Sequence, residues 1–271
     1  MRGPLPRGAR AASLALLIVA GAPEGVAAQA PWFLKGLRAG FCVEFLVSPT
    51  AAAEAMGTWA RPVDVATRAE RHPVLARTAA AEVDYSGWAP AEYCLFLYQE
   101  VIVAGEHYRV DRGREPVAVG FLAIGAEGLP NGATDFLAEF FSNQGGLRGA
   151  MAQAGVSVDR AVFELTPVPG QENDPDRARF SARHGRTTVQ WDGGPGEPRE
   201  NVAQRALRFS GRIRGTGLKE LGVQLSPDSV FAPSGSFRVI GRGRLGEMLS
   251  ASPIRLVTEF TRGGDDDWTI R

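Results

Sequence analysis

The chain has 271 residues, 44% of them hydrophobic and 22% charged, with 30 basic side chains balanced by 30 acidic ones. That length can bury a substantial core, and the composition is ordinary for a globular protein. Zero formal charge excludes the basic excess of a nucleic-acid binder, so no nucleic-acid partner is expected.

The first 30 residues, MRGPLPRGARAASLALLIVAGAPEGVAAQA, place Arg2, Arg7 and Arg10 before an apolar run from Ala11 to Ala20. Small residues follow, ending in Ala28-Gln29-Ala30. This is the order of a secretory signal, cleaved after Ala28 or Ala30. The apolar run falls short of the roughly 20 residues that span a bilayer. No later segment is long and apolar enough, so no integral membrane segment is expected after cleavage. Residues 31–271 are expected to form one β-rich α+β domain, exported to the periplasm or beyond. Removing residues 1–30 takes away three arginines and Glu24, leaving a formal charge of −2.

Strands dominate the rest of the chain. FCVEFLV (41–47) reads as a strand and PTAAAEAMGTWA (49–60) as a short helix ended by Gly57. VLARTAAAEVDYSGW (74–88) is Ala-rich and then alternates, leaving helix and strand both open. YCLFLYQEVIVAG (93–105) and PVAVGFLAI (116–124) are β-rich runs. Thr134 or Asp135 can cap a helix running through Phe141, which Gly145-Gly146 interrupt. Leu147, Met151 and Ala154 then form a helical stripe ended by Gly155.

Strand patterns return at 160–168, 177–183, 186–192, 203–213, 236–241 and 253–261, with His184-Gly185-Arg186 as a tight hairpin. PGQENDPD and GGPGEPREN read as loops. Many strands with short turns argue for a mostly antiparallel α+β fold, a closed or partly closed barrel with a few short helices.

Cys42 and Cys94 lie in strand-like runs, and in an exported protein they form either one disulfide or two buried thiols. His72, His107 and His184 are isolated in sequence, with no metal-ligand spacing around them, so no metal is expected. Gly241-x-Gly243-x-x-Gly246 has the glycine spacing of a dinucleotide loop, but only EMLSAS separates it from Pro253. A βαβ unit needs a longer helix and a parallel strand beyond it. The motif therefore reads as a turn between late strands, and no cofactor is expected.

Tyr98-x-Glu100 is the most informative remaining feature. Strand alternation puts the two side chains on one face. If that face lines a cavity, burial raises the proton affinity of Glu100; if it is wet, Glu100 is an ordinary surface carboxylate.

In this order the features resemble the acetoacetate decarboxylase-like family. CVEFLVSPTAAAEAMG matches its opening strand and helix, and LYQEVIV its Tyr-x-Glu strand. TDFLAEFFSNQGGLRGAMAQAGVSVDRAVFEL has the outline of its acidic residue, helix, turn and strand. RVIGRGRLGEML and PIRLVTEF could be its closing strand pair, and the resemblance spans residues 40–262.

The family's chemistry uses a lysine that forms a Schiff base after a Gly-aromatic-Pro turn. Here that stretch is Gly155-Val156-Ser157-Val158, without proline or lysine, and the chain's two lysines, Lys35 and Lys219, lie in other contexts. Lys35 reads as preceding the first strand. The resemblance thus implies a barrel with Glu100 as the pocket carboxylate and the nucleophile lost.

The leading expectation is a binder of a small, partly apolar ligand through Tyr98 and Glu100. One alternative is a lysine-independent lyase or hydrolase with Glu100 as catalytic acid–base. The other is a non-catalytic envelope protein, marked by a barrel interior filled with Phe, Leu and Val and by Glu100 turned to solvent. The oligomeric state is left open.

Overall fold

The structure, a computed structural model, describes residues 32–81, 85–103, 105–109, 116–153, 156–174, 176–199, 205–213 and 217–270. The chain opens with β1 (Trp32–Val47), α1 (Pro49–Met56), the short β2 (Arg61–Pro62) and α2 (Pro73–Ala81). Then come β3 (Ala89–Val103), β4 (Glu106–Arg109), β5 (Val117–Glu127), β6 (Asp135–Ser142) and α3 (Gly145–Gln153). The second half runs through β7 (Asp159–Thr166), β8 (Ala178–His184), β9 (Thr187–Pro198), β10 (Arg205–Ile213) and β11 (Gly217–Leu225). It ends with β12 (Ser229–Gly241), α4 (Arg244–Ala251), β13 (Arg255–Arg262) and β14 (Asp266–Ile270).

Nine strands close into a barrel in the order β1, β13, β12, β9, β8, β7, β6, β5, β3 and back to β1. Its interior holds a core of aromatic and aliphatic side chains. Phe41, Phe180, Trp191 and Phe260 meet there, with ring centroids 5.0 Å apart for Phe41–Trp191 and 5.4 Å for Trp191–Phe260. Ala52 and Met56 of α1 and Leu245, Met248 and Leu249 of α4 join the same core.

A second ring shares the wall β1–β3–β5–β6 and closes through β10, β11 and β14, with β10 parallel to β6. The shared strands are therefore buried on both faces. In β6, Phe136 and Phe141 face the first barrel, while Leu137 and Phe140 face the second ring.

This two-sided burial corrects the helix expected over 134–141. A strand apolar on both faces reads as a continuous apolar run, which periodicity cannot separate from a buried helix. The helix begins instead at Gly145, so the two glycines start α3 rather than break it. The 74–88 ambiguity resolves as α2 up to Ala81, and Gly155, the expected helix end, lies outside the described residues. GGPGEPREN is not all loop, because β9 continues through Pro198. β1 starts at Trp32, so Lys35 lies within the first strand. β4, β11 and β14 carry no strong sequence signal and were not expected.

Gly57, with φ +59°, ends α1 as read from the sequence. Cys42 and Cys94 form the disulfide; they are direct cross-strand partners on β1 and β3, with Cα atoms 4.2 Å apart. Among the described residues no helix is long and apolar enough to cross a membrane.

Candidate functional site

Tyr98 and Glu100 do not share a face. On β3, Phe96 and Tyr98 belong to the second ring's core, but so do Val101 and Val103. The alternation changes phase between 98 and 101, opposite Gly36 of β1, whose φ of +65° departs from the extended conformation of that strand.

Tyr98 is fully buried, and its hydroxyl donates to Oδ2 of Asp266 at 2.5 Å. Burial and the neighbouring Asp266 charge push its pKa well above the ordinary tyrosine value. Asp266 also accepts from the Ser226 backbone N–H at 2.7 Å. A cavity of about 20 Å³, the space of a single water, lies beside it against Glu259 and Thr261.

Glu100 points away from this ring. It pairs with Nδ1 of His107 at 2.5 Å and with Nε of Arg109, both on β4. The His107 hydrogen bond, followed by that from Arg109, holds its carboxyl below the usual range. Of the two alternatives for Glu100, a cavity-facing carboxyl with raised proton affinity or a wet-face carboxylate, the lowered pKa accords with the second.

The densest group of buried titratable side chains lies at the other end of the second ring. Glu44 on β1 is the cross-strand partner of Glu92 on β3, and Asp135 opens β6. All three sit on the wall face that looks toward the second ring. The turn before α2 inserts Arg71 and His72 between them, held down by Leu75 and Ala79 of α2 packing on Leu46. Arg71 Nη2 lies 2.5 Å from Glu92 Oε2, and its Nε lies 3.9 Å from Asp135 Oδ2. His72 Nδ1 lies 3.3 Å from Glu44 Oε1 and Nε2 lies 4.0 Å from Asp135 Oδ1. His72 is 1% exposed and Glu92 2%.

Burial opposes a charged His72, but the Asp135 and Glu44 carboxylates facing its ring nitrogens and the charge of Glu92 outweigh it, raising its pKa to about 9, although neither nitrogen reaches hydrogen-bond geometry. Asp135 is raised by burial and lowered more by His72 and Arg71, ending below its ordinary value. Arg71, despite burial, is raised by Glu92, Asp135 and Glu44. The group therefore holds two cations against three carboxylates. Such a cluster can anchor a polar ligand group or exchange a proton through His72.

Sequence reasoning missed this cluster, although a signal for it exists. Glu44 in FCVEFLV and Glu92 in APAEYCLFL are lone acids within apolar strand runs, the same oddity that singled out Glu100. What could not be read is that Arg71 and His72 come to meet them. Cys42, Cys94 and Glu92 gather donor atoms within 4.8 Å of one another, but the sulfurs are bonded together and offer no thiolate to a metal.

The remaining histidine, His184, lies at the first barrel's rim, with Nε2 2.8 Å from the Tyr93 hydroxyl. Burial lowers its pKa to about 4. Between α1 and α4 an open cleft of about 360 Å³ is lined by Val47, Ala51 and Met248 and by the charged Glu54, Arg244 and Glu247.

The architecture, a closed barrel with short helices, is similar to that of solved structures of low sequence identity. The enduracididine biosynthesis enzyme MppR, complexed with pyruvate, superimposes with a TM-score of 0.51 at 14% identity, over 92% of this chain and 91% of that one. Acetoacetate decarboxylase from Legionella pneumophila gives 0.48 at 9% identity, over 95% of each chain. An acetoacetate decarboxylase-like enzyme from Sphingomonas wittichii RW1 gives 0.47 at 9% identity, over 89% of this chain and 91% of that one. At these identities the likeness is one of fold. No protein-family model and no curated protein matches the sequence.

Proposed function

We propose that the chain is an exported barrel that binds a small, partly apolar ligand in its second ring, without Schiff-base chemistry. The observation that carries this is the buried Glu44–Arg71–His72–Glu92–Asp135 group at the end of a ring otherwise lined by Trp32, Phe96, Phe121 and Phe140. Burying ions costs several kcal/mol each, and convergent polar groups beside an apolar wall are the usual form of a ligand site. Tyr98 faces the same ring. The signal-like N-terminus supports export, and a buried disulfide fits an oxidising compartment. Lys35 is exposed, unlike the desolvated or cation-flanked amine that a Schiff base needs.

The test uses pyruvate and longer 2-oxo acids as probes, because the MppR structure of similar fold is complexed with pyruvate and an alkyl tail suits the apolar ring. Calorimetric titration is expected to show saturable binding that Arg71→Met weakens at least tenfold. Borohydride treatment of the mixture is expected to leave the intact mass unchanged. An adduct on Lys35 or Lys219 would overturn the reading.

The aromatic packing of the nine-strand barrel favours a second reading, a non-catalytic envelope protein. On that reading no probe binds, and Glu92→Gln alters stability alone.

A further inference from the structure

One rim of the nine-strand barrel gathers charge that the second-ring site does not use. Ala161 of β7 pairs with His184, His184 with Thr187 of β9, and Thr187 with Gly241 of β12. The start of β7, the β8–β9 hairpin and the end of β12 therefore meet at one rim. Five arginines converge there: Arg160, Arg183, Arg186, Arg242 and Arg244, every one exposed. Among the described residues none of them is in an ion pair. Their neighbours show the contrast, since Arg179 and Arg238 on the same sheet face are both tied to Asp192, at 2.6 and 3.0 Å. The acids near them are Asp159, Glu139, which interacts with Arg244 and Asp159, and Glu54 and Glu247, which share the α1–α4 cleft with Arg244, so the arginines outnumber the acids and the excess lies with Arg183, Arg186 and Arg242.

Two further features sharpen the pattern. Arg244 is the first residue of α4 and Arg242 lies just before it, although a helix N-terminus is already positive by about half a charge. The first turn also carries Glu247, an acid where a helix N-terminus favours one. The N-cap is Gly243, which supplies no side-chain acceptor to the first N–H groups. Beneath this turn, Thr187 is 1% exposed and its Oγ1 has no hydrogen-bond partner. A Cβ at Gly243 or Gly246 would stand 2.8 or 2.7 Å from that oxygen. Glycine spacing thus keeps an unpaired hydroxyl and uncapped N–H groups beside Arg242 and Arg244.

We propose that this rim binds a multiply charged oxyanion, in which clustered phosphate or sulfate oxygens engage several guanidinium groups at once. Guanidinium forks match such oxygens in geometry and stay charged at every physiological pH. Five of them exceed what one singly charged group can occupy. A dinucleotide is not the occupant, because α4 is short and β13 returns antiparallel to β12.

The experiment titrates the full chain with inorganic tripolyphosphate at low and at 150 mM salt, and separately with phosphatidylglycerol vesicles. Saturable tripolyphosphate binding that weakens with salt and falls at least tenfold in Arg186→Ala/Arg242→Ala supports the site. Vesicle binding lost in the same variant also supports it and assigns the phosphate to a lipid headgroup. Arg183→Ala/Arg244→Ala serves as a second pair should the first fail to fold, and Arg262→Ala, at the end of β13 away from α4, is expected to bind like the parent. Binding to neither probe, or binding unchanged in a folded double variant, overturns the proposal.

Discussion

Nδ1 of His72 lies 3.3 Å from Oε1 of Glu44, inside a wall otherwise made of β-strand and aliphatic contacts. Its folded pKa of about 9 stands above the unfolded value of 6.5, so folding favours the protonated ring. The resulting stability is fully present below about pH 6.5 and is lost as pH rises through about 9. The shift corresponds to the order of 3 kcal/mol. Urea midpoints are expected to fall between pH 6.5 and 9, and His72→Gln to flatten that fall. A parent curve already flat over this interval would rule out an ionised His72.

His184 has the opposite sign. Its folded pKa is lowered to about 4, so the folded state prefers the neutral ring, stacked edge-on to Phe141 at 4.1 Å and hydrogen-bonded to Tyr93. Its contribution is present above about pH 6.5 and is lost as pH falls through about 4. His184→Gln keeps a partner for Tyr93 and removes the titration. The acid-unfolding midpoint of that variant is expected to move to lower pH, while its loss at alkaline pH follows the parent.

Glu100 tests the reading taken from strand alternation. Its carboxylate is a rim group neutralised by His107 and Arg109. Pairs of this kind contribute about 0–1 kcal/mol. Glu100→Gln is expected to change stability by less than about 1 kcal/mol and to leave 2-oxo acid titrations unaltered, whereas Arg71→Met disrupts them. Loss of turnover on any substrate in Glu100→Gln would restore the acid–base role.

The contrast between these residues shows how far the sequence could be read. β3, β5, β8 and α1 declared themselves, because each has one dominant periodicity or a clear terminator such as Gly57. β6 did not, since Phe136, Leu137, Phe140 and Phe141 are buried on opposite faces and the run has no wet side to reveal its period. Tyr98 and Glu100 are separated by a change of phase opposite Gly36 of β1, a strand distant in sequence, about which β3 itself is silent. Arg71 and His72 lie in a turn with no pattern at all. Only the closure of the second ring gives them partners, and ring closure is a long-range property.

The Cys42–Cys94 bond crosses two paired strands in the wall shared by both rings, and both residues are at most 1% exposed. Such a buried bond is out of reach of solvent thiols until the wall opens. Dithiothreitol with a maleimide probe is expected to label neither cysteine in the native protein and both in denaturant. A Cys42→Ala/Cys94→Ala variant is expected to lose about 2–5 kcal/mol, the usual range for a native disulfide. Labelling in native buffer would place the bond in a mobile region.

Gly241 separates the structural from the nucleotide reading of the glycine motif. Its φ of +97° is open to glycine, and a Cβ there would stand 2.0 Å from the carbonyl oxygen of Arg186, a backbone atom that cannot turn aside. Gly128 has a comparable φ of +79°, but a Cβ added there would meet nothing within 4 Å. Gly128→Ala therefore isolates the dihedral cost, about 1 kcal/mol, while Gly241→Ala adds a backbone clash and is expected to cost about 3 kcal/mol or more. Both follow from packing against the β8–β9 hairpin, without reference to a nucleotide. NAD or FAD is accordingly expected to shift the melting temperature no more than inorganic pyrophosphate does, since only the diphosphate has partners at this rim. A saturable shift by NAD or FAD well beyond that of pyrophosphate, abolished in Gly241→Ala, would return the motif to dinucleotide binding, because the nucleoside portions would then have partners too.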